Sequence, residues 1–180
     1  DRNIIEYENY QEQLKVRADD FPYLTYPCSI PYDFTEVPLH WHDQMEFIYI
    51  KKGSGLVSVD HHDFVIRAGD LIFICPGQLH AIRQYQQESM EYENIIFEPR
   101  LLGNPQTDPS FDLYLTPILM RQAELPVRLS PDMDHYREIA GCIDQIDVIR
   151  RTFPRGYELF TKGKLCELFF LLYPVSYTHL

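Results

Sequence analysis

The sequence predicts a mainly β fold, a sandwich or barrel of short strands followed by an antiparallel pair of helices. Three observations carry that expectation. Residues 39–97 are rich in Val, Ile, Phe and Tyr in short runs. Turn residues punctuate those runs at even intervals, and apolar residues switch to helical spacing after Ser130.

The first 33 residues read as an arm. They are polar and scattered with aromatics such as Tyr7, Tyr23, Tyr26 and Tyr32, and Pro22, Pro27 and Pro31 exclude one long helix. A short helix over residues 4–16 and an extended stretch after it are expected. Strands follow over residues 44–51, 55–60, 63–67, 70–75, 80–85 and 92–97, with breaks at Gly53-Ser54-Gly55, Asp60-His61-His62-Asp63, Ala68-Gly69-Asp70 and Pro76-Gly77. The barrel is assigned to residues 34–110 and a connecting segment with a short helix over 111–120 to residues 111–129. A helical segment is assigned to residues 130–174. Ser130-Pro131-Asp132 has the composition of a helix start, and Met133, Tyr136, Ile139, Ala140, Ile143, Ile146 and Ile149 form one apolar stripe after it. A second helix begins near Tyr157 and stops by Pro174.

Composition narrows the function classes. The chain has 180 residues, is 45% hydrophobic, and carries a net charge of −11 from 27 acidic and 16 basic side chains. Such a balance opposes direct contact with phosphates, so any action on DNA needs a further stretch of polypeptide. Cys28, Cys75, Cys142 and Cys166 form no Cys-x-x-Cys pair and read as free thiols of a reducing compartment. No apolar run is long enough for a membrane span and the N-terminus lacks a secretory layout, so a cytoplasmic protein is expected.

The chemistry concentrates in His40-Trp41-His42-Asp43-Gln44-Met45-Glu46, with His80 downstream. On one continuous strand His40, His42 and Glu46 share a face, continued by Ile48 and Ile50 toward the interior. His80 would join from a neighbouring strand. Three imidazoles and a carboxylate make a site for a divalent first-row metal, with Zn, Ni, Mn and Fe as candidates. The alternative is a polar pocket in which these groups hydrogen-bond hydroxyls of a small ligand, or each other, without metal. His40, His42, Glu46, Ile48 and His80 are the candidate ligand-binding residues, and no cofactor is fixed by the sequence. Trp41 and Tyr49 fall on the opposite face and read as packing residues. His61 and His62 read as a solvated turn and His135 as a surface residue.

These residues resemble the two motifs of the cupin superfamily. His40, His42, Glu46 and Gly53 match the first; Gly69, Pro76-Gly77 and His80 match the second. Phe34 stands where the first motif opens with Gly, and Gln84 where the second closes with Asn. The resemblance implies a double-stranded β-helix, or jelly-roll barrel. Within the superfamily, Pro38-Leu39-His40-Trp41-His42-Asp43, Lys52-Gly53-Ser54-Gly55, Pro76-Gly77-Gln78-Leu79-His80 and Phe97-Glu98-Pro99-Arg100-Leu101-Leu102 are similar to the N-terminal domain of AraC-type transcription regulators. That similarity implies a non-enzymatic domain that binds a small metabolite, such as a sugar, in the barrel. It also implies a homodimer formed by the helices, and a helix-turn-helix DNA-binding domain, absent here from what reads as a truncated chain. Leu165, Leu168, Phe169 and Leu172 are the candidate dimer contacts. A metal-dependent cupin enzyme, a dioxygenase or sugar isomerase, is the alternative. A stand-alone barrel that only stores a metabolite is a weaker third.

Overall fold

The computed structural model describes residues 21–175 and 177–178, so the helix expected over residues 4–16 lies outside the described residues. The chain divides into two compact units, 1–98 and 99–180. The first ends just after its last strand, short of the boundary expected at residue 110.

Among the described residues the first unit holds seven strands: β1 (Tyr23–Ile30), β2 (Glu36–His40), β3 (Met45–Val59), β4 (His62–Arg67), β5 (Leu71–Ile74), β6 (His80–Arg83) and β7 (Met90–Phe97). They form two antiparallel layers, β1-β7-β3-β5 and β2-β6-β3-β4, that share β3. The first half of β3 pairs with β7 and β5, the second half with β4 and β6. A strand serving two layers must change direction, and it does so at a bulge where the pairing with β7 shifts between Ile50 and Lys52. Gly53 follows at φ +73, and a Cβ there would stand 1.9 Å from the Ser89 carbonyl oxygen. Gly53-Ser54-Gly55 is thus a bend inside one strand rather than the expected break between two.

Residues 23–30 differ from the expected arm. They pair with the full length of β7, from Tyr23↔Phe97 to Ile30↔Met90, and close the layer. Pro27 is tolerated because β1 pairs on one side only in this layer. Register places Glu46, Ile48 and Ile50 of β3 on one face with Ile96, Asn94 and Tyr92 of β7. On the other face Phe47 meets Phe73 and Phe97 edge-on at 5.1 and 5.3 Å between ring centroids, and Tyr23 stacks on Phe97. Both faces of this part of β3 are buried, which is why residues 45–50 read as an almost continuous apolar run rather than an alternating one.

The second unit holds a short helical segment over Phe111–Leu115 that continues into α1 (Thr116–Leu119), then α2 (Tyr136–Ile149) and α3 (Tyr157–Leu172). Helix α2 begins later than Ser130 predicts. The Ser130 hydroxyl donates to the Asp132 carboxylate at 2.7 Å instead of accepting a backbone N–H, and His135 at φ +65 separates that turn from the helix. Ile139, Ala140, Ile143 and Ile146 of the predicted stripe are buried. Leu165, Leu168, Phe169 and Leu172 are buried too, between 0 and 4% exposed, so they form the inner face of α3 and are not available to a second subunit. The exposed apolar face of α3 carries Leu159 and Phe170, with Gly163 and Cys166 between them at helical spacing. No helix of the described residues is long and apolar enough to cross a membrane.

Candidate functional site

Two chain crossings between the barrel layers build the site. Residues 41–44 carry the chain from β2 to β3, and residues 75–79 carry it from β5 to β6. The Gly77 N–H donates to the His42 carbonyl at 2.9 Å and ties the crossings together. His40 ends β2 and is the register partner of His80, the first residue of β6. His42 lies in the crossing itself, and Glu46 sits four positions after His42, within β3. The four side chains converge, their candidate ligand atoms all within 4.8 Å of one another.

Each ring is aimed by a backbone carbonyl. Nδ1 faces the Pro38 carbonyl in His40 at 2.7 Å, the Gln44 carbonyl in His42 at 3.0 Å, and the Gln78 carbonyl in His80 at 2.8 Å. A carbonyl can only accept, so each Nδ1 carries the proton and a neutral ring presents its Nε2 lone pair. The Nε2 atoms of His42 and His80 stand 2.7 and 2.8 Å from the same Glu46 oxygen, Oε2. Two lone pairs facing a carboxylate oxygen at that range repel unless a proton or a cation lies between them. The donor set therefore fits a divalent ion, with backbone carbonyls fixing ring orientation as they do around bound metals. Ile48, the remaining predicted residue, is buried on the same face one pair further along β3.

Charge within the cluster follows from the same geometry. Burial resists charge on Glu46, but His80 and His42 outweigh it and hold the carboxyl well below the usual range. Burial also works against protonation of His80, and the Glu46 carboxylate overcomes it and raises the imidazole above its ordinary value. His40 goes the other way. Burial, reinforced by His80, lowers it from 6.5 to about 4.

The sign of the resulting pH dependence is definite. The unfolded chain protonates His40 near pH 6.5, while the folded one resists until about 4, so metal-free protein loses stability as pH falls below 6.5. His80, raised, gives its full contribution below 6.5, and Glu46, lowered, begins to lose its own only below its unfolded value of 4.5. Between pH 6.5 and 4.5 the loss belongs to His40 and amounts to about 2–3 kcal/mol. Urea denaturation across that window is expected to show the slope in the wild type and a flat line in His40→Gln. Equal slopes would remove His40 from the account.

Two positioning residues gave no recognisable sequence signal. The buried Gln78 side chain accepts from the Cys75 N–H at 2.8 Å and donates to Asp60 at 2.9 Å, while Asp60 also accepts from the Leu79 N–H at 3.3 Å. The hairpin tip and the Pro76-Gly77 crossing are thereby locked together, and with them the carbonyl that orients His80. Trp41 departs from expectation. It is 60% exposed because it lies in the crossing and not on a strand, whereas Tyr49 is buried as predicted. His61 and His62 are exposed at the β3–β4 hairpin, with Asp60 and His61 at positive φ, and His135 is exposed before α2.

Two antiparallel layers sharing one bent strand, with three histidines and a glutamate at the crossings, define a cupin-type barrel. The chain belongs to the family of AraC-like ligand binding domains, whose model matches residues 30–151. It is similar to an uncharacterised HTH-type transcriptional regulator, YdeC, of Bacillus subtilis (strain 168), with 28% identity over 111 residues. That match covers 61% of this chain and 38% of the regulator, so the chain spans well under half of its relative's length. Among solved structures it is similar to a protein described as a predicted oxalate decarboxylase of Thermotoga maritima. The identity is 28% and the TM-score 0.38, over 42% of this chain and 65% of that one. A cupin protein of Bacteroides fragilis shows 23% identity and a TM-score of 0.40, over 45% and 72%. These structural likenesses are partial, and the fold rests on the strand pairing itself.

Proposed function

We propose that this chain is the sensing half of a cytoplasmic transcription regulator, and that its barrel binds a small-molecule effector at a divalent ion held by His40, His42, Glu46 and His80. The convergence of two imidazole lone pairs on one buried carboxylate oxygen carries the metal part of this reading. Membership of the AraC-like ligand binding domains supports the sensing part. A bound ion would supply a positive point to which an effector oxygen can attach. The residues of the chain orient the rings, shield the cluster from water and keep Glu46 ionised.

Effector binding controls a DNA-binding domain only if it favours one arrangement of the complete protein over another. A homodimer is part of the proposal, with the exposed face of α3 as its contact: Leu159 and Phe170 project there, and Gly163 and Cys166 allow a second helix to approach closely. The net charge of −11 supports placing DNA contact in another domain.

The test is a thermal-shift titration of chelator-treated protein with zinc, nickel and manganese chlorides. Saturation at one ion per chain is expected, with a stabilisation of about 2.7 kcal/mol at a hundredfold excess over Kd. In a domain of this size that is a rise in Tm of roughly 5–10 °C. No shift with any of the three ions would reject the metal and leave the alternative of direct hydrogen bonding to the effector.

A further inference from the structure

The turn between α2 and α3 carries a charge opposite to that of the chain. Residues 148–157 hold three arginines, Arg150, Arg151 and Arg155, and no acidic side chain. Residues 151–156 are all exposed. Acidic side chains outnumber basic ones 27 to 16 in this protein, yet among the described residues neither Arg151 nor Arg155 has an ion pair.

Phe153 stands between those two arginines in a conformation that its side chain disfavours. It caps the C-terminal end of α2: its N–H donates to the Ile149 carbonyl at 3.1 Å, and its φ is +46. Helices that end this way usually place glycine there, since a Cβ is penalised in the left-handed region. Glycine does fill the other left-handed position of this turn, Gly156 at φ +89. Among the described residues Phe153 is the one apolar side chain other than glycine at positive φ. Packing does not explain the choice, because the residue is 52% exposed. The pose of the ring is nonetheless set on two sides. The Arg150 guanidinium lies 5.1 Å from its centroid, and the Tyr157 ring meets it edge-on at 5.1 Å. A disfavoured backbone that holds an oriented apolar ring in water is accounted for by something that docks on the ring.

We infer that the α2–α3 turn is a docking point for an acidic segment of another protein, which sets an apolar side chain on Phe153 and carboxylates on Arg151 and Arg155. Arginine and aromatic side chains carry much of the binding energy of protein interfaces, and a guanidinium grips a carboxylate through two parallel hydrogen bonds. DNA fits the turn less well. A phosphate backbone offers nothing to the ring, and a net charge of −11 repels a duplex as a whole. A short acidic segment carries few charges, and salt screens it from the rest of the surface beyond about 8–10 Å, so the three arginines dominate the field it meets. The inference concerns the second unit alone and stands whether or not the barrel holds an ion or an effector.

The test is fluorescence anisotropy of the full chain with a labelled peptide that carries two glutamates on each side of a leucine. The same peptide with lysine for glutamate and a short DNA duplex are the comparison probes. The acidic peptide is expected to bind, and to weaken steeply between about 0.05 and 0.3 M salt, while the basic one does not bind. Arg151→Ala combined with Arg155→Ala is expected to weaken the acidic peptide about tenfold. Phe153→Asn is expected to weaken it about fivefold and to keep the wild-type Tm, because asparagine tolerates the left-handed conformation and so offsets the lost ring contacts. Failure of the acidic peptide to bind, or equal binding by the double variant, overturns the inference. Tighter binding of the duplex would make the partner a nucleic acid and overturn it as well. A Tm of Phe153→Asn more than about 5 °C below the wild type would assign the ring to packing and overturn its docking role.

Discussion

Replacing Gly53 by alanine is expected to unfold the barrel or cost it about 4 kcal/mol or more, among the largest effects of any single change. Two penalties add. The backbone at φ +73 disfavours any side chain, at about 1–2 kcal/mol. The new Cβ would also lie 1.9 Å from the Ser89 carbonyl oxygen, and because that atom is backbone, the β6–β7 connection must shift. The Ser54 N–H donates to that carbonyl at 3.1 Å, and the Gly53 carbonyl accepts from Ala68 at 3.0 Å, so relief on one side breaks a bond on the other. Equilibrium denaturation of Gly53→Ala checks this. A loss below 1 kcal/mol would show that the bend in β3 relaxes freely.

Glu46→Gln is the second large effect. The carboxylate is 2% exposed and stands within hydrogen-bond distance of both His42 and His80, so its neutral replacement removes the one anionic group of a buried cluster. Breaking a buried pair from one side costs about 3–5 kcal/mol. The raised proton affinity of His80 originates in that carboxylate, so the variant also loses the stability that His80 contributes in full below pH 6.5. Affinity for a divalent ion is expected to fall more than a hundredfold, beyond the range of about 10–100-fold typical of losing an outer partner, because a ligand itself is removed. Zinc titration and urea denaturation of the same variant read the two losses independently. Unchanged zinc affinity would take Glu46 out of the metal site.

The architecture was legible because its signals are local. Val, Ile and Phe runs, the Asp60–Asp63 hairpin and the stripe from Ile139 to Ile146 each declare an element within a few residues. The four site residues were legible as types and spacing, and the structure brings them together, but by another route. Strand alternation places His40, His42 and Glu46 on one face only if a single strand runs through them. Here β2 stops at His40, the chain crosses between layers, and β3 starts at Met45. Trp41, exposed in that crossing, marks the difference. Strand β1 was missed because three prolines between residues 22 and 31 argue locally against it, while its support comes from β7, some sixty residues away in the chain. The Leu165–Leu172 stripe was read as a free face because a sequence shows that a helix side is apolar without showing what covers it. Gln78 and Asp60 are ordinary polar residues in sequence; only pairing across the barrel gives them roles.

The central claim is that three imidazole nitrogens and one carboxylate oxygen converge tightly enough to hold one divalent ion in the barrel. X-ray absorption at the zinc edge of protein loaded with one equivalent of zinc tests it most directly. The account predicts a first shell of nitrogen and oxygen at about 2.0–2.1 Å, with outer scattering from imidazole rings that declines when His80 is replaced by alanine. A shell containing sulfur near 2.3 Å, or one without imidazole scattering, would place the ion elsewhere and contradict it.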